Sequence, residues 1–479
     1  MTSWSRTNLE DDLPWKVAGR SPKDVPALVI LWSLDEPARI GQIALVLGKS
    51  VLGRGGSAVE DGASRLVFAK QRPGSTKEST PLVSSRISRV QLSLEPGQDG
   101  KLTVTNVGKL ALLHRGAEVK KVEAQPGDVL ILKNSLVLLV TRRMPVLEEA
   151  ANLEAPSFGF GEPDAYGLVG ESPAAWRLRD SIAFAARSPH HVLVQGPSGV
   201  GKELTARAVH GMSGRSKKEL VARNAATFPS GIVDAELFGN AKGYPNAGMP
   251  ERPGLIGEAD GSTLFLDEIG ELPVEMQAHL LRVLDRGGEY QRLGESRVRQ
   301  ADVRLVAATN RELDALKHDF AARLTVRTQV PGLDDRIDDI PLLVRHILLR
   351  LAGEMPDVHA RFFEVKDGRL EPRIDPSLIE ALVMHKYTHH LRELERLVWL
   401  AVSTSKDQYL ARTKEVEAEL RLPSTGEASE SEIRAALAAS SNNVTRAARH
   451  LGLKNRFALY RLMKQYGIAG ADSGDSDDD

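Results

Sequence analysis

Residues 191–203, HVLVQGPSGVGKE, decide the fold of the central part of the chain. The apolar start predicts a buried strand, the glycines predict a tight loop, and the following LTARAVHGM predicts a helix. In this arrangement the backbone N–H groups of the loop surround phosphate oxygens at a helix N-terminus, and a lysine adds charge for the β- and γ-phosphates. The predicted phosphate-binding loop comprises Gly196, Pro197, Ser198, Gly199, Val200, Gly201, Lys202 and Glu203. Since Glu203 replaces the usual Ser or Thr, the alternative at this point is a glycine turn that only joins a core strand to a helix.

Two further apolar segments end in polar side chains. Residues 262–268, STLFLDE, predict a strand that ends in two carboxylates. An acid at a strand end beside a phosphate loop holds Mg²⁺ through water, and a second acid can deprotonate the attacking water. We therefore expect Asp267 to serve the metal and Glu268 to act as the base. The strand at 303–310 ends in Asn310, which we expect beside Glu268. The alternative is an ordinary solvated strand end.

The composition sets outer limits on function. The 479 residues suggest about three domains, and a net charge of −1 means that any DNA contact needs a local basic patch. The absence of cysteine excludes disulfides, thiolate catalysis and Cys-based zinc sites. The N-terminus has no signal-peptide pattern, and no apolar run reaches about 18 residues. We therefore expect a soluble, cytoplasmic protein without a membrane partner.

Apolar periodicity and turn residues divide the chain into segments. Short apolar runs separated by turn residues predict a β-sandwich, whereas alternating strands and helices predict a parallel α/β domain. The predicted order is a flexible N-terminus (1–24), a β-sandwich (25–143), a linker (144–164), an α/β domain (165–338), a helical region (339–405), a second linker (406–428), a basic helical domain (429–468) and an acidic tail (469–479).

Residues 167–403 resemble the central AAA+ domain of the bacterial enhancer-binding proteins, the activators of sigma-54 RNA polymerase. In that family Glu follows the loop lysine, which accounts for Glu203. The resemblance implies a hexameric or heptameric ring that binds ATP and Mg²⁺ between subunits and uses hydrolysis to remodel polymerase, with residues 339–405 as the lid. The matching motifs are LVGESPA (168–174), GPSGVGKELTARAVH (196–210), ELFG (236–239), GSTLFLDEIGELP (261–273), QAHLLRVL (277–284), DVRLVAATN (302–310), DDIPLLV (338–344) and LRELERLV (391–398).

The same resemblance implies roles for residues beyond the phosphate loop. Asn224 matches the residue that couples Glu268 to nucleotide state, and Arg392 matches the lid arginine that contacts phosphate. Arg323 matches an arginine finger, which reaches the γ-phosphate of the neighbouring subunit. A second arginine of the family is replaced by Lys317, which is a point charge and not a planar fork. We expect hydrolysis to be slower than is usual in the family.

The loop that contacts sigma-54 departs furthest from the family. Where relatives read GAFTGA, residues 243–248 read GYPNAG, so that Gly243 is kept, Tyr244 and Pro245 are new, and Asn246 replaces Thr. Proline has a fixed φ and no amide donor, which alters the loop tip. One alternative is therefore a DNA-binding regulator whose ring binds ATP without engaging sigma-54. A different AAA+ machine, such as a replication initiator or unfoldase, is disfavoured by ELFG and by the C-terminal segment.

The C-terminal segment resembles the Fis-type DNA-binding domain. NNVTRAARHLGL (442–453) and LYRLMKQYGI (459–468) carry the match, and helices separated by a glycine turn predict a helix-turn-helix. Residues 429–468 have a net charge of +5, which suits phosphate contacts. The alternative is a basic helical lid that does not bind DNA. The candidate DNA contacts are Asn455, Arg456, Arg461 and Lys464.

Residues 27–143 resemble a forkhead-associated (FHA) domain, which reads phosphothreonine and would receive a signal from a Ser/Thr kinase. Arg54 lies in a GR turn, and Ser88 and Arg89 match the SxxH motif, in which Gln91 replaces His. Arg54, Ser88 and Arg89 are the candidate phosphate ligands. The Asn-Gly pair of the family is replaced at 110–111 by Leu-Ala. A protein-interaction module that no longer reads phosphothreonine is the alternative.

Overall fold

The computed structural model describes residues 24–56, 62–229, 231–285, 287–311, 316–421, 430–440, and positions 443, 444, 446, 447, 459, 460, 463 and 468. The chain forms two compact units, Met1–Glu149 and Ala150–Asp479. Within the described residues, no helix is both long enough and apolar enough to cross a membrane.

The N-terminal unit is the expected β-rich domain, built from two sheets. The first has the strand order β10-β9-β12-β13-β1-β2-β5-β6, and the second has the order β11-β8-β7-β3-β4. The long strands β1 and β13 pair antiparallel at the centre of the first sheet, from Val25 opposite Arg143 to Ser33 opposite Leu136. The strands are β1 (Val25–Ser33), β2 (Ile43–Leu45), β3 (Ser50–Leu52), β4 (Ser64–Arg65), β5 (Ala69–Arg72), β6 (Ser75–Glu78), β7 (Leu92–Pro96), β8 (Leu102–Asn106), β9 (Leu112–His114), β10 (Ala117–Val119), β11 (Lys121–Ala124), β12 (Val129–Leu132) and β13 (Leu136–Arg143).

The second unit contains the predicted α/β domain. Its five-stranded sheet has the order β15-β16-β19-β14-β20, and all the pairings are parallel. The central strands are continuously apolar because helices cover both faces of a parallel sheet. The strands are β14 (Val192–Gln195), β15 (Val221–Asn224), β16 (Thr263–Asp267), β19 (Arg304–Thr309) and β20 (Val326–Gln329), and a small hairpin pairs β17 (Glu289–Tyr290) with β18 (Arg299–Gln300).

Six helices accompany this sheet in the described residues. The first begins after Ser172, whose hydroxyl accepts a hydrogen bond from the Ala175 amide at 3.1 Å, with Pro173 as first residue. Such an N-cap satisfies a backbone donor that has no partner within the helix. The helices are α1 (Pro173–Arg187), α2 (Lys202–Gly211), α3 (Val233–Phe238), α4 (Gly254–Glu258), α5 (Val274–Leu284) and α6 (His318–Arg323).

The helical lid extends further along the chain than its predicted end at 405. A helix lies inside the segment assigned to a linker. Its Val416 is fully buried, and its Glu419 pairs with Arg396 of the preceding lid helix. Leu410 is also buried. The described part of 406–428 is therefore part of the lid. The lid elements are α7 (Ile340–Glu354), α8 (Pro356–Phe362), β21 (Phe363–Lys366), β22 (Arg369–Pro372), α9 (Pro376–Met384), α10 (His390–Thr404) and α11 (Lys414–Leu420).

The segment that precedes the α/β domain also makes specific contacts, although the sequence assigned 144–164 to a linker. The Phe158 ring stacks on Trp176 at 5.9 Å, and the Arg179 guanidinium lies 5.1 Å from the centre of the Phe158 ring. Glu162 pairs with Arg345 of α7 at 3.2 Å. Residues 150–164 thus contact both the α/β domain and the lid.

The described C-terminal residues form a small apolar core with α12 (Glu430–Ala439). Its buried members include Ile433, Ala447, Leu459 and Met463. The candidate DNA contacts Asn455, Arg456, Arg461 and Lys464 lie outside the described residues.

Candidate functional site

A cavity of about 430 Å³ lies between the glycine loop, the end of β16 and the lid. Its walls come from separate elements that meet at the carboxyl edge of the sheet, where ligands of such folds bind. The lining residues are Ser198, Gly199, Gly201, Lys202, Glu203, Leu204, Arg207, Asp267, Glu268, Arg350, Leu391, Arg392 and Glu395. The structure thus brings the predicted loop, both carboxylates and the lid arginine together.

The glycine loop is in direct contact with the start of α10. Gly199 has a φ of +78°, and a Cβ added there would lie 2.2 Å from the His389 carbonyl oxygen. The Leu391 amide donates a hydrogen bond to the Gly199 carbonyl at 3.0 Å. Only glycine fits both the backbone angle and the space, so movement of the loop is coupled to the lid.

Lys202 is 6% exposed, and its ammonium donates to the carbonyls of Gly196 and Pro197 at 3.1 and 3.2 Å. Burial lowers the pKa of Lys202, and the charges of Glu268 and Asp267 partly offset this effect. The Glu268 carboxylate lies 3.9 Å from the ammonium. A buried cation at the mouth of a glycine loop matches a polyphosphate ligand, since phosphate oxygens are stronger acceptors than these carbonyls.

The two carboxylates at the end of β16 differ in their backbone geometry. Asp267 is the last residue of the strand, and its side chain accepts a hydrogen bond from the Glu268 amide at 2.9 Å. Glu268 has a φ of +50°, a region that side-chain-bearing residues seldom adopt. Such strain is stored where the surrounding structure requires it, often at functional sites. It turns Glu268 from the strand direction into the cavity.

Three predicted residues outside the phosphate loop do not line the cavity. Asn224 pairs in register with Asp267 on the neighbouring strand, but its side-chain oxygen accepts from the Ala226 amide at 2.9 Å. Asn310 follows β19 and is exposed. Arg323 ends α6 and pairs with Asp285 at 2.8 Å.

Sequence reasoning missed three charged residues of the cavity wall. Arg207 pairs with Glu203 at 2.8 Å one helical turn away, a spacing that the sequence displays. Arg350 of α7 pairs with Glu395 of α10. These two lie 45 positions apart, so no local pattern connects them.

A hydrogen-bond network fixes the start of α10 beside the cavity. The Glu393 carboxylate accepts from the amides of Thr388 and His389 at 2.8 and 3.0 Å and from the His385 imidazole at 2.8 Å. Burial alone would raise the pKa of Glu393, but these hydrogen bonds outweigh it and bring the pKa to about 2. Glu393 is therefore ionised at neutral pH and holds the helix that carries Arg392 in place.

Residues 243–248, which the resemblance aligns with GAFTGA, contact the loop of the β17–β18 hairpin. Asn240 is 4% exposed, and its side-chain amide donates to the carbonyls of Ala241, Tyr244 and Pro250 at 3.0–3.3 Å. The Tyr244 ring occupies the space beside Gly294, where an added Cβ would lie 2.6 Å away. Asn240 and Tyr244 thus hold the loop to its surroundings, whereas residues 242–250 are all exposed.

In the N-terminal unit, a buried glutamine joins the loops that carry the candidate phosphate ligands. Gln91 is fully buried, and its amide donates to Asn106 at 2.8 Å and to the Leu110 carbonyl at 3.1 Å while accepting from the Ser88 amide at 3.2 Å. Gln91, which stands where the SxxH motif of the resembled family has His, thus joins the loops that carry Ser88, Asn106 and Leu110. The Arg54 amide donates to the Ser88 carbonyl at 3.0 Å, which joins a further loop.

Comparison with known proteins gives a consistent family. A model described as the sigma-54 interaction domain matches residues 168–333. The transcriptional regulatory protein ZraR of Escherichia coli K12 is 37% identical over 319 residues, which cover 62% of this chain and 69% of ZraR. The formate hydrogenlyase transcriptional activator of Salmonella typhimurium LT2 is 36% identical over 279 residues, 57% of this chain but 37% of that protein. The structure of NtrX from Brucella abortus in complex with ATP is 30% identical, with a TM-score of 0.45, and the match covers 63% of this chain and 69% of NtrX.

Proposed function

The chain belongs to the family of transcriptional regulators that share the sigma-54 interaction domain, and on that premise we propose that it hydrolyses ATP to remodel RNA polymerase carrying sigma-54. The observation that carries this proposal is the cavity in which Lys202, Asp267, Glu268 and Arg392 face one another across the phosphate loop. These residues have the chemistry that phosphoryl transfer to water requires.

The roles within the cavity follow from charge and position. Lys202 binds the β- and γ-phosphates, and Arg392 contacts phosphate from the lid. Glu268 orients and deprotonates the attacking water, whereas Asn310, which is exposed outside the cavity, is given no contact with that water. Asp267 would hold Mg²⁺, and the metal would neutralise charge on the phosphates. Asn224, which pairs with Asp267 in the sheet, reports nucleotide state to Glu268.

Arg323 acts in trans in a hexameric or heptameric ring. Its position outside the cavity of its own subunit supports this assignment. A guanidinium that reaches the γ-phosphate of the neighbour stabilises the charge that develops in the transition state. Hydrolysis therefore depends on assembly.

The N-terminal unit controls the ring as an FHA-type phosphothreonine reader. Arg54, Ser88 and Arg89 supply the phosphate contacts. The Lys109 amide donates to the Ser88 hydroxyl oxygen at 3.1 Å, which leaves the hydroxyl proton free to be donated to a phosphate. Among the described residues, the Arg54 Nε is buried without a hydrogen-bond partner, and an anion would supply one.

The C-terminal segment anchors the protein to DNA upstream of promoters. Its small core and its net charge of +5 support a Fis-type helix-turn-helix. Asn455, Arg456, Arg461 and Lys464 are the proposed contacts with bases and phosphates.

The altered loop favours a second candidate function. The contacts of Asn240 and Tyr244 tie residues 243–248 to neighbouring backbone, and a loop held in this way differs from one that is free to engage polymerase. In this alternative the protein is a DNA-binding regulator whose ring does not engage sigma-54. A Lys202→Ala variant separates the two, since a pure DNA-binding repressor still represses while an ATP-driven machine fails.

The decisive experiment is a pull-down of purified sigma-54 by the full-length protein trapped with ADP and a γ-phosphate mimic. We expect binding that is lost on deletion of residues 243–248 and in Lys202→Ala. No binding by a protein with intact ATPase activity would contradict the sigma-54 proposal and support the alternative.

The phosphothreonine proposal is tested with a phosphopeptide array. We expect binding that depends on phosphorylation and is lost in Arg54→Ala, while Arg142→Ala, an arginine of the same unit on β13, binds normally. Equal binding of phosphorylated and unphosphorylated peptides would leave a protein-interaction module that does not read phosphate.

A further inference from the structure

The proposed arginine finger is held by a carboxylate of its own subunit. Arg323 is the last residue of α6, its side chain is 53% exposed, and its Nη2 lies 2.8 Å from Asp285 Oδ1. Asp285 is the residue that caps the C-terminus of α5, and its side chain is 45% exposed. The family resemblance assigned no role to Asp285.

Buried neighbours hold the backbone of both residues of this ion pair. Phe320 and Leu324, on either side of Arg323, are fully buried in the α/β core, and Leu284 next to Asp285 is 8% exposed. The backbone positions of both charged groups are thus fixed by packing, and only the two side chains extend into solvent. The carboxylate therefore decides where the guanidinium points.

From this geometry we propose that Asp285 is a positioning residue for the arginine finger, a proposal that rests on the role of Arg323 given above. The guanidinium is a planar fork with five N–H donors. Asp285 engages one terminal nitrogen, and the opposite edge stays available for the γ-phosphate of the neighbouring subunit. Because a free arginine side chain has many rotamers, holding one of them in advance lowers the entropic cost of reaching the transition state.

The carboxylate of Asp285 weakens the attraction of Arg323 for phosphate, and two features limit this effect. The pair is half in solvent, where water and salt screen the effect of the carboxylate on the charge of the finger. Asp285 also lies at the C-terminus of α5, where the negative end of the helix dipole favours a nearby cation. The arginine is therefore held without losing its use as a phosphate ligand.

The test compares ATP hydrolysis by full-length Asp285→Asn with the wild type at protein concentrations that saturate assembly. We expect kcat to fall about two- to fivefold, in line with an exposed ion pair, with KM and equilibrium binding of ATP unchanged. Asp285→Glu should recover part of the rate, since it restores the carboxylate. An unchanged or higher kcat in Asp285→Asn, or a loss confined to ATP binding, would overturn the proposal.

The matched control is Asp302→Asn, which removes the partner of Arg215 from another Asp–Arg pair of the same domain, at 2.6 Å. It should leave kcat unchanged. Arg323→Ala distinguishes a failure of the finger assignment from a failure of the positioning role of Asp285. If Arg323→Ala hydrolyses ATP normally, the finger assignment itself fails. If Arg323→Ala is inactive but Asp285→Asn is normal, only the positioning role fails.

Discussion

At the residue scale, Lys317 stands where the family has a second arginine, and the structure places it just before α6. Its amide donates to the side-chain oxygen of Gln277 at 2.9 Å, and Gln277 is 1% exposed. The backbone of Lys317 is thus fixed by a buried partner. The difference from the family therefore lies in the side chain, which ends in a single ammonium group instead of a planar guanidinium.

Lys317→Arg should raise the rate of ATP hydrolysis by the assembled protein by several-fold, on the order of 3–10. The added guanidinium can make two parallel hydrogen bonds to phosphate, whereas lysine acts as a point charge. Steady-state phosphate release at saturating ATP measures the effect, with Lys317→Ala as the variant that should be slower than wild type. A Lys317→Arg protein no faster than wild type would show that this substitution does not limit the rate.

At the element scale, the start of α10 depends on the ionised Glu393. Since the folded state holds the pKa of Glu393 at about 2, below its ordinary 4.5, the carboxylate stabilises the fold fully above pH 4.5. That stabilisation is lost as the pH falls from about 4.5 to about 2.

Glu393→Gln should therefore lower the free energy of unfolding of the lid by about 2–3 kcal/mol at pH 7. The difference in the free energy of unfolding between the variant and the wild type should become smaller as the pH falls below about 4.5. Denaturant titrations at several pH values measure it, with Glu395→Gln as the control, because Glu395 of α10 is a half-exposed carboxylate paired with Arg350 and its loss should cost far less. A difference that stays constant from pH 7 to pH 3 would contradict the role of the ionised carboxylate.

The elements differ in how far the sequence revealed them. The phosphate loop and the acidic end of β16 were predictable, because each is a local pattern of apolar run, glycine and charge. Helix α11 was assigned to a linker, because its charged sequence hides the contribution of one buried residue, Val416. The ion pair between Arg350 and Glu395 could not be predicted from the sequence, since it forms only when α7 and α10 pack together.

At the scale of the whole molecule, the boundary between the two compact units falls at Glu149 and Ala150. Residues after that boundary belong physically to the ATPase unit before its first helix begins. The Gly161 amide donates to the buried Glu171 carboxylate at 2.8 Å, and Glu162 shares Arg345 with Glu371. A segment with such contacts is part of a folded unit and not a spacer.

An ATPase fragment that begins at Ala150 should therefore be more stable than one that begins at Asp164. The shorter fragment loses the stacking of Phe158 on Trp176 and leaves Arg345 with one acidic partner instead of two. A combined loss of about 2–3 kcal/mol corresponds to a melting temperature lower by roughly 4–10 °C, measured by calorimetry. Phe158→Ala in the longer fragment should melt between the two, because it removes the stacking and keeps the ion pair. Equal melting temperatures for the two fragments would mean that residues 150–163 contribute nothing to the stability of the ATPase unit, and that the sequence-based assignment of this segment to a linker was sufficient.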